Sequence, residues 1–298
     1  STALGVGVGV RAVFEAPTVR GLAQHLGGPT KTTEGVIPVD VFRAGTGIPL
    51  CCIHPGLGLS WPYRALCDYL ESPIIGINQV PGEGERQPRS ITVMAQNYAD
   101  RIQSLYPTGP YNVLGWSFGG VVAHQLAIEL GQRGCIVQNL ILLDATPTEV
   151  GVEHLINQPL GESRILEEVL HIVGIDVPES SRPLTIRKVE HLLAIRHDWG
   201  DESALSSELI RGFLEFIVQN AMISSLLRLH HIPEVFGGDM HIFSATRGGS
   251  DPSLSQSWRP YVTGNISEWH VSSTHNEMLS TESIGMYADQ LKSILYGS

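Results

Sequence analysis

Short, unbroken apolar runs alternate with longer stretches of helical periodicity along most of the chain. Residues 50–53, 73–77 and 140–144 are short, mostly apolar runs, and 240–244 and 266–271 are two further strand-like segments with polar residues among the apolar ones. Runs of that length read as strands buried on both faces. Residues 36–42 alternate more loosely and suit an edge strand. Helical spacing appears in 59–70 (Leu59, Tyr63, Leu66, Leu70) and in 91–105 (Ile91, Met94, Ala95, Tyr98, Ile102, Leu105). It returns in 118–133 and in 284–295. The segment Pro107-Thr108-Gly109-Pro110 stops the second of these helices, and 79–88, with Pro81, Gly82 and Gly84, is loop. Strand and helix in alternation predict an α/β fold with a mostly parallel sheet covered by helices on both sides.

The alternation breaks at about 146–236. No strand-like run occurs there, but three amphipathic stretches do: 162–172, 184–195 and 203–229. About 90 residues of helix between two strands read as a lid inserted over the carboxyl edge of the sheet, where such insertions shape a substrate chamber.

The centre of the pattern is residues 110–123. An apolar strand runs into Gly115-Trp116-Ser117-Phe118-Gly119, and small apolar residues suited to a helix follow. Gly-x-Ser-x-Gly between a strand and a helix is the layout of a nucleophile elbow, with the serine on a sharp turn. Gly115 and Gly119 let strand and helix approach closely around it. With 32 glycines in the chain the motif could arise by chance, but strand before and helix after make Ser117 the candidate nucleophile.

A serine hydroxyl needs a base within hydrogen-bond reach and a group that orients the base. In this architecture acid and then histidine follow the serine, each after a strand. Of 12 histidines, His275 lies just after the last predicted strand and is the candidate base. His124 sits in the elbow helix and reads as a helix-face residue. His230 and His231 end a lid helix, where they suit its dipole. His54 leads a glycine loop and is a candidate to line the site, but it precedes the serine and is given no base role. Two carboxylates follow strands, Asp144 and Asp251. Asp144 emerges directly from its strand and is better fixed, whereas Asp251-Pro252 also suits a turn. The oxyanion donors should be the backbone N–H groups of Phe118 and of Gly56, with Leu57 as the alternative.

Composition narrows the partners. A net charge of −11 argues against nucleic acid, and no basic run is present. The four cysteines (Cys51, Cys52, Cys67, Cys135) have no metal-ligand spacing and read as reduced thiols of a cytoplasmic protein. No metal or bound cofactor is expected. No apolar stretch approaches membrane-spanning length, and no signal segment opens the chain.

Residues 1–28 differ from the rest, and 29–35 are a polar linker. In the first, Thr18 suits an N-cap for a short helix with Val19, Leu22, Ala23 and Leu26 on one face. The segment is too short to bury its own core, so it is an arm or the end of something upstream. Here "VRAVFEAPTVRGLAQHL" resembles the last helices of a peptidyl carrier domain. Residues 94–120 (MAQNYADRIQSLYPTGPYNVLGWSFGG), together with "CCIHPGLG" and "LILLDATP", resemble the type I thioesterase domains that end nonribosomal peptide synthetases.

The likeness covers 36–298, least in the lid. It implies an α/β-hydrolase fold, and an acid where Asp144 stands. It further implies a peptidyl or depsipeptidyl chain delivered on the 4'-phosphopantetheine of an upstream carrier, whose attachment serine is not in this chain. Ser117 would accept that chain as an acyl-enzyme. Water, or an internal nucleophile that closes a ring, directly or after repeated units are joined, would release it. Long apolar lid helices favour excluding water and hence ring closure. The loop reads His-Pro-Gly-Leu-Gly where many relatives have His-Pro-Ala-Gly-Gly, which leaves the second oxyanion donor open. A stand-alone esterase, an editing thioesterase that clears stalled carriers, and a non-catalytic binding module are the competing readings. The carrier-like tail argues against the first two, and an unbroken Ser, Asp, His order against the third.

Overall fold

The computed structural model describes residues 36–82, 84–147, 161–172, 175, 177, 179–196, 203–247 and 253–297. The carrier-like segment 1–28, the linker 29–35 and the alternative acid Asp251 lie outside these.

Seven strands form one sheet in the order β1-β3-β2-β4-β5-β6-β7: β1 (Val39–Arg43), β2 (Leu50–Ile53), β3 (Ile74–Ile77), β4 (Tyr111–Trp116), β5 (Val137–Leu143), β6 (Met240–Ala245) and β7 (Ile266–Val271). Only β1 runs antiparallel, against β3, as suits its mixed edge pattern; the other pairs are parallel. Every residue of β2, β3 and β4 is buried, which is why they read as unbroken apolar runs. The order reverses direction at β2/β4, the topological switch point where open parallel sheets build their sites.

Helices α1 (Ile91–Leu105) and α2 (Phe118–Gln132) connect the strands, and α7 (Thr281–Tyr296) closes the chain. Helices α3 (Glu162–Ile172), α4 (Ile186–Arg196) and α5 (Ser203–Leu229) lie between β5 and β6, and the five-residue α6 (Leu254–Trp258) between β6 and β7. The apolar face of α1 is buried from Ile91 to Ile102 as its spacing predicts, while Leu105 in the last turn is exposed, and Ser90 caps the helix by accepting from Val93 N–H at 3.1 Å. Helix α2 is buried almost all round, so it shows little amphipathic pattern.

The region 59–70 winds differently from the expected α-helix: residues Trp61–Asp68 form a 3₁₀ helix. Pro62 supplies no N–H in its first turn, and the tighter winding brings Tyr63 and Leu66, three apart, onto one buried face. Its start is anchored by Asn78, whose Oδ1 accepts from Ser60 N–H (2.7 Å) and from Ser60 Oγ (2.8 Å).

The chain divides into two compact units. The sheet unit comprises 37–153 and 224–298. The other contains the helices of 161–223, where the sequence pattern placed a helical insertion. There, Ile165, Leu166, Val169, Leu170, Val189 and Leu193 are buried. Ser163 Oγ accepts from Leu184 N–H at 2.8 Å, and the Arg211 and Glu190 side chains pair at 3.0 Å. Among the described residues no helix is long and apolar enough to cross a membrane.

Candidate active site

The strand-to-helix turn is as sharp as its sequence requires. Ser117 has φ 57° and ψ −125°, a conformation that costs a non-glycine residue about 1–3 kcal/mol. Close approach on both sides holds it. A β-carbon on Gly115 would lie 2.1 Å from the Gly119 carbonyl oxygen, and one on Gly119 would lie 2.4 Å from that of Ile53. Main chain therefore fills the space a side chain would need, and Ser117 heads α2 at the carboxyl edge of the sheet.

Ser117, His275 and Asp144 form one hydrogen-bonded chain. Ser117 Oγ donates to His275 Nε2 at 3.0 Å, and His275 Nδ1–H donates to Asp144 Oδ2 at 2.6 Å. Asp144 follows β5 directly, with φ 44°, and its other oxygen accepts from Ala245 N–H at 2.9 Å. That second bond fixes the carboxylate's orientation against β6. His275 opens a 3₁₀ turn whose capping box joins Thr274 and Glu277, with Arg247 paired to Glu277 at 2.8 Å. Trp116 adds a support that the Gly-x-Ser-x-Gly pattern does not specify. Its indole N–H donates to the His275 carbonyl at 3.1 Å, and its ring centroid lies 5.6 Å from the imidazole.

The loop after β2 faces the elbow through Gly119, whose close contacts are the Ile53 and His54 carbonyls. Gly58 N–H closes a turn on Pro55 carbonyl at 2.9 Å, with Gly58 at φ 83°. Gly56 needs no glycine for space, because a β-carbon there meets nothing within 4 Å. Gly56→Ala keeps the backbone N–H, so it is expected to leave both the melting temperature and turnover close to the parent's. A large loss of either would show that Gly56 is needed as a turn glycine.

Three other histidines singled out by the sequence bond elsewhere. His54 is fully buried, with one ring nitrogen 2.7 Å from the Pro55 carbonyl and the other 2.7 Å from the Tyr98 hydroxyl, so it braces the loop from behind. His124, read as a helix-face residue, faces the interior. Its Nε2 lies 3.1 Å from the Tyr261 carbonyl, and its ring centroid is 4.8 Å from that of Trp258. His230 Nδ1 bonds the Leu226 carbonyl at 2.9 Å, as suits the end of α5.

Burial pulls His54 and His124 from the ordinary value of 6.5 down to about 4; a backbone hydrogen bond opposes the shift at each, and Arg101 (for His54) and His231 (for His124) add to it. Both stay neutral in the folded protein where the unfolded chain takes up protons. The unfolded state binds more protons in that window, so stability is full above about pH 6.5 and falls as pH drops towards 4. Each could contribute about 3 kcal/mol at most. Thermal melts from pH 7.5 to 4.5 are expected to show a steep fall in Tm, shallower in His124→Asn. A flat profile would contradict this.

A mostly parallel sheet, a strained serine at the switch point and a Ser–His–Asp hydrogen-bond chain drawn from the ends of β4, β7 and β5 define an α/β-hydrolase fold. The thioesterase domain model matches residues 48–291, and the chain belongs to that family. It is 33% identical, over 99% of its length, to malpibaldin synthetase of Mortierella alpina, and 31% identical, over 94%, to a dimodular nonribosomal peptide synthase of Bacillus subtilis. It spans 5% and 12% of those relatives' own lengths. Among solved structures, the NocB thioesterase domain in covalent complex with a fluorophosphonate nocardicin G analog shares 21% identity. The match covers 86% of this chain and 99% of that one, with a TM-score of 0.61. The likeness to synthetase thioesterase domains carried by the sequence blocks is thereby borne out.

Proposed function

We propose that this chain is the terminal thioesterase of a nonribosomal peptide synthetase, with Ser117, His275 and Asp144 as its catalytic triad. The unbroken hydrogen-bond path from Ser117 Oγ through the imidazole to Asp144 carries the reading. An upstream peptidyl carrier presents a peptidyl or depsipeptidyl chain as a thioester on its 4'-phosphopantetheine. Ser117 Oγ attacks the thioester carbonyl while His275 Nε2 takes the hydroxyl proton. The N–H groups of Phe118 and of Gly56, or of Leu57 in its place, stabilise the negative oxygen. Collapse of the tetrahedral species breaks the C–S bond, and His275 returns the proton to the departing thiolate. An oxoester on Ser117 remains.

In the second half His275 deprotonates water, giving an acid, or an internal amine or hydroxyl, giving a ring. Of the two we favour the ring, on the sequence reading of 162–229 as long apolar helices, since an acyl-enzyme kept from water is not hydrolysed. Asp144 holds the imidazole in the tautomer with Nδ1 protonated and stabilises its charged form. This chemistry needs no metal, and the group that carries the substrate belongs to the carrier. The names of the relatives support a peptidyl substrate, and the net charge of −11 argues against a nucleic-acid partner.

Matched peptidyl thioester and oxoester substrates, the former on a pantetheine mimic, separate this reading from a plain esterase. Faster turnover of the thioester is expected, and the product mass distinguishes ring from acid. Turnover of the oxoester alone would contradict the proposal.

A further inference from the structure

The last main-chain bond between neighbouring parallel strands follows one rule on this sheet. The residue just past one strand donates to the carbonyl of the final paired residue on the other. His54 N–H reaches Ile77 at 3.1 Å, Ser117 N–H reaches Leu143 at 3.1 Å, and Asp144 N–H reaches Phe243 at 2.8 Å. Ile53 pairs with Gly115, so the equivalent groups at β2/β4 are Trp116 N–H and the Ile53 carbonyl. A side chain holds both. The Tyr63 hydroxyl accepts from Trp116 N–H at 2.7 Å and donates to the Ile53 carbonyl at 2.7 Å.

This is the one place in the sheet where the spacing of two strand ends matters most to the chemistry. Ile53 leads directly into the loop that carries Gly56 and Leu57, and Trp116 directly precedes Ser117 and Phe118. The two backbone donors proposed for the oxyanion therefore hang from the two groups that Tyr63 joins. Tyr63 is fully buried, and the Ser60–Asn78 bonds that start its 3₁₀ helix fix its own position, as does Tyr63 N–H on the Ser60 carbonyl at 3.1 Å.

We infer that Tyr63 is a positioning residue that sets the separation of the oxyanion loop from the nucleophile turn. The inference rests on Ser117 being the acylated residue. Without the hydroxyl, Trp116 N–H and the Ile53 carbonyl remain able to satisfy each other, so the fold survives while the two oxyanion donors shift. A displacement of about 1 Å at a reacting centre is enough to slow turnover on the order of 100-fold. An oxyanion donor acts on the transition state more than on the bound substrate, so kcat should fall with little change in KM.

The test compares the parent, Tyr63→Phe and, as a control, Tyr111→Phe. The last removes a hydroxyl bonded to the Tyr106 carbonyl at the far end of β4. Acylation of the parent by a peptidyl thioester is measured first; a parent that forms no adduct removes the underlying reading. With an active parent, Tyr63→Phe is expected to lose about 10- to 100-fold in kcat, with KM within about twofold. Its affinity for a peptidyl trifluoromethyl ketone, whose adduct carries the oxyanion, should fall by a similar factor. Tyr111→Phe should match the parent in all three. Equal kcat in Tyr63→Phe and the parent, or a fall in kcat with unchanged ketone affinity, would overturn the role of Tyr63 and leave the thioesterase reading standing.

Discussion

Replacing Ser117 with alanine is expected to lower peptidyl-thioester turnover by about 10⁶-fold, and His275→Ala by about as much. The double variant should be no slower than either single one. This follows from the geometry: Ser117 Oγ and His275 Nε2 share one hydrogen bond and act on one proton. Without the base the hydroxyl is a poor nucleophile, and without the hydroxyl the base has nothing to activate. Residual activity should reflect only the oxyanion donors and substrate binding. Single-turnover kinetics on all three variants check this. Additive losses, or a Ser117→Ala enzyme within tenfold of the parent, would sink the triad assignment.

Gly115→Ala is expected to have the largest effect on folding. Its β-carbon would sit 2.1 Å from the Gly119 carbonyl oxygen and 2.6 Å from Gly120 N, and both are main chain of a buried helix. No rotamer change relieves such a clash. Either β4 or α2 must move, and α2 is packed on nearly every face. Substitutions that force main chain apart in a packed interior lie in the exceptional range above about 4 kcal/mol, a large part of the total stability of a domain. Thermal melts and soluble yield are the checks. A soluble Gly115→Ala protein with the parent's Tm would contradict the close approach of strand and helix. The contrast with Gly56→Ala, which meets open space, separates a glycine required by packing from one that is not.

The centre of the sheet was legible because β2, β3 and β4 are buried along their whole length and read as apolar runs, whereas β7 (Ile266–Val271), with Ser267, Glu268 and His270 among its residues, is mostly half-buried and carries a weaker pattern. The three helices of the insertion were legible for the opposite reason: one apolar face against solvent leaves a period. The residues of the Ser117–His275–Asp144 chain could be singled out because each sits where a strand ends, and strand ends are set by local pattern.

What was missed depends on contacts distant in sequence. Helix α6 has no local capping bond. Glu268, on β7, supplies its cap instead, accepting from Leu254 and Ser255 N–H at 3.1 Å each. Burial alone would raise the Glu268 carboxyl, but the hydroxyls of Ser244, Ser253 and Ser255 and the Ser255 N–H pull it down to about 2. No short window of sequence holds that arrangement. Tyr63 read as one apolar position among four on a helix, since nothing nearby shows where its hydroxyl points. Trp116 read as a variable position inside a motif, yet its indole N–H holds the loop that carries His275.

Intact-protein mass after mixing with a peptidyl thioester on a pantetheine mimic tests the central claim most directly. The expected result is one covalent acyl adduct on the parent, located at Ser117 and lost as product appears, with none on Ser117→Ala. An equal adduct on Ser117→Ala, or turnover by the parent with the adduct on another residue, would contradict it.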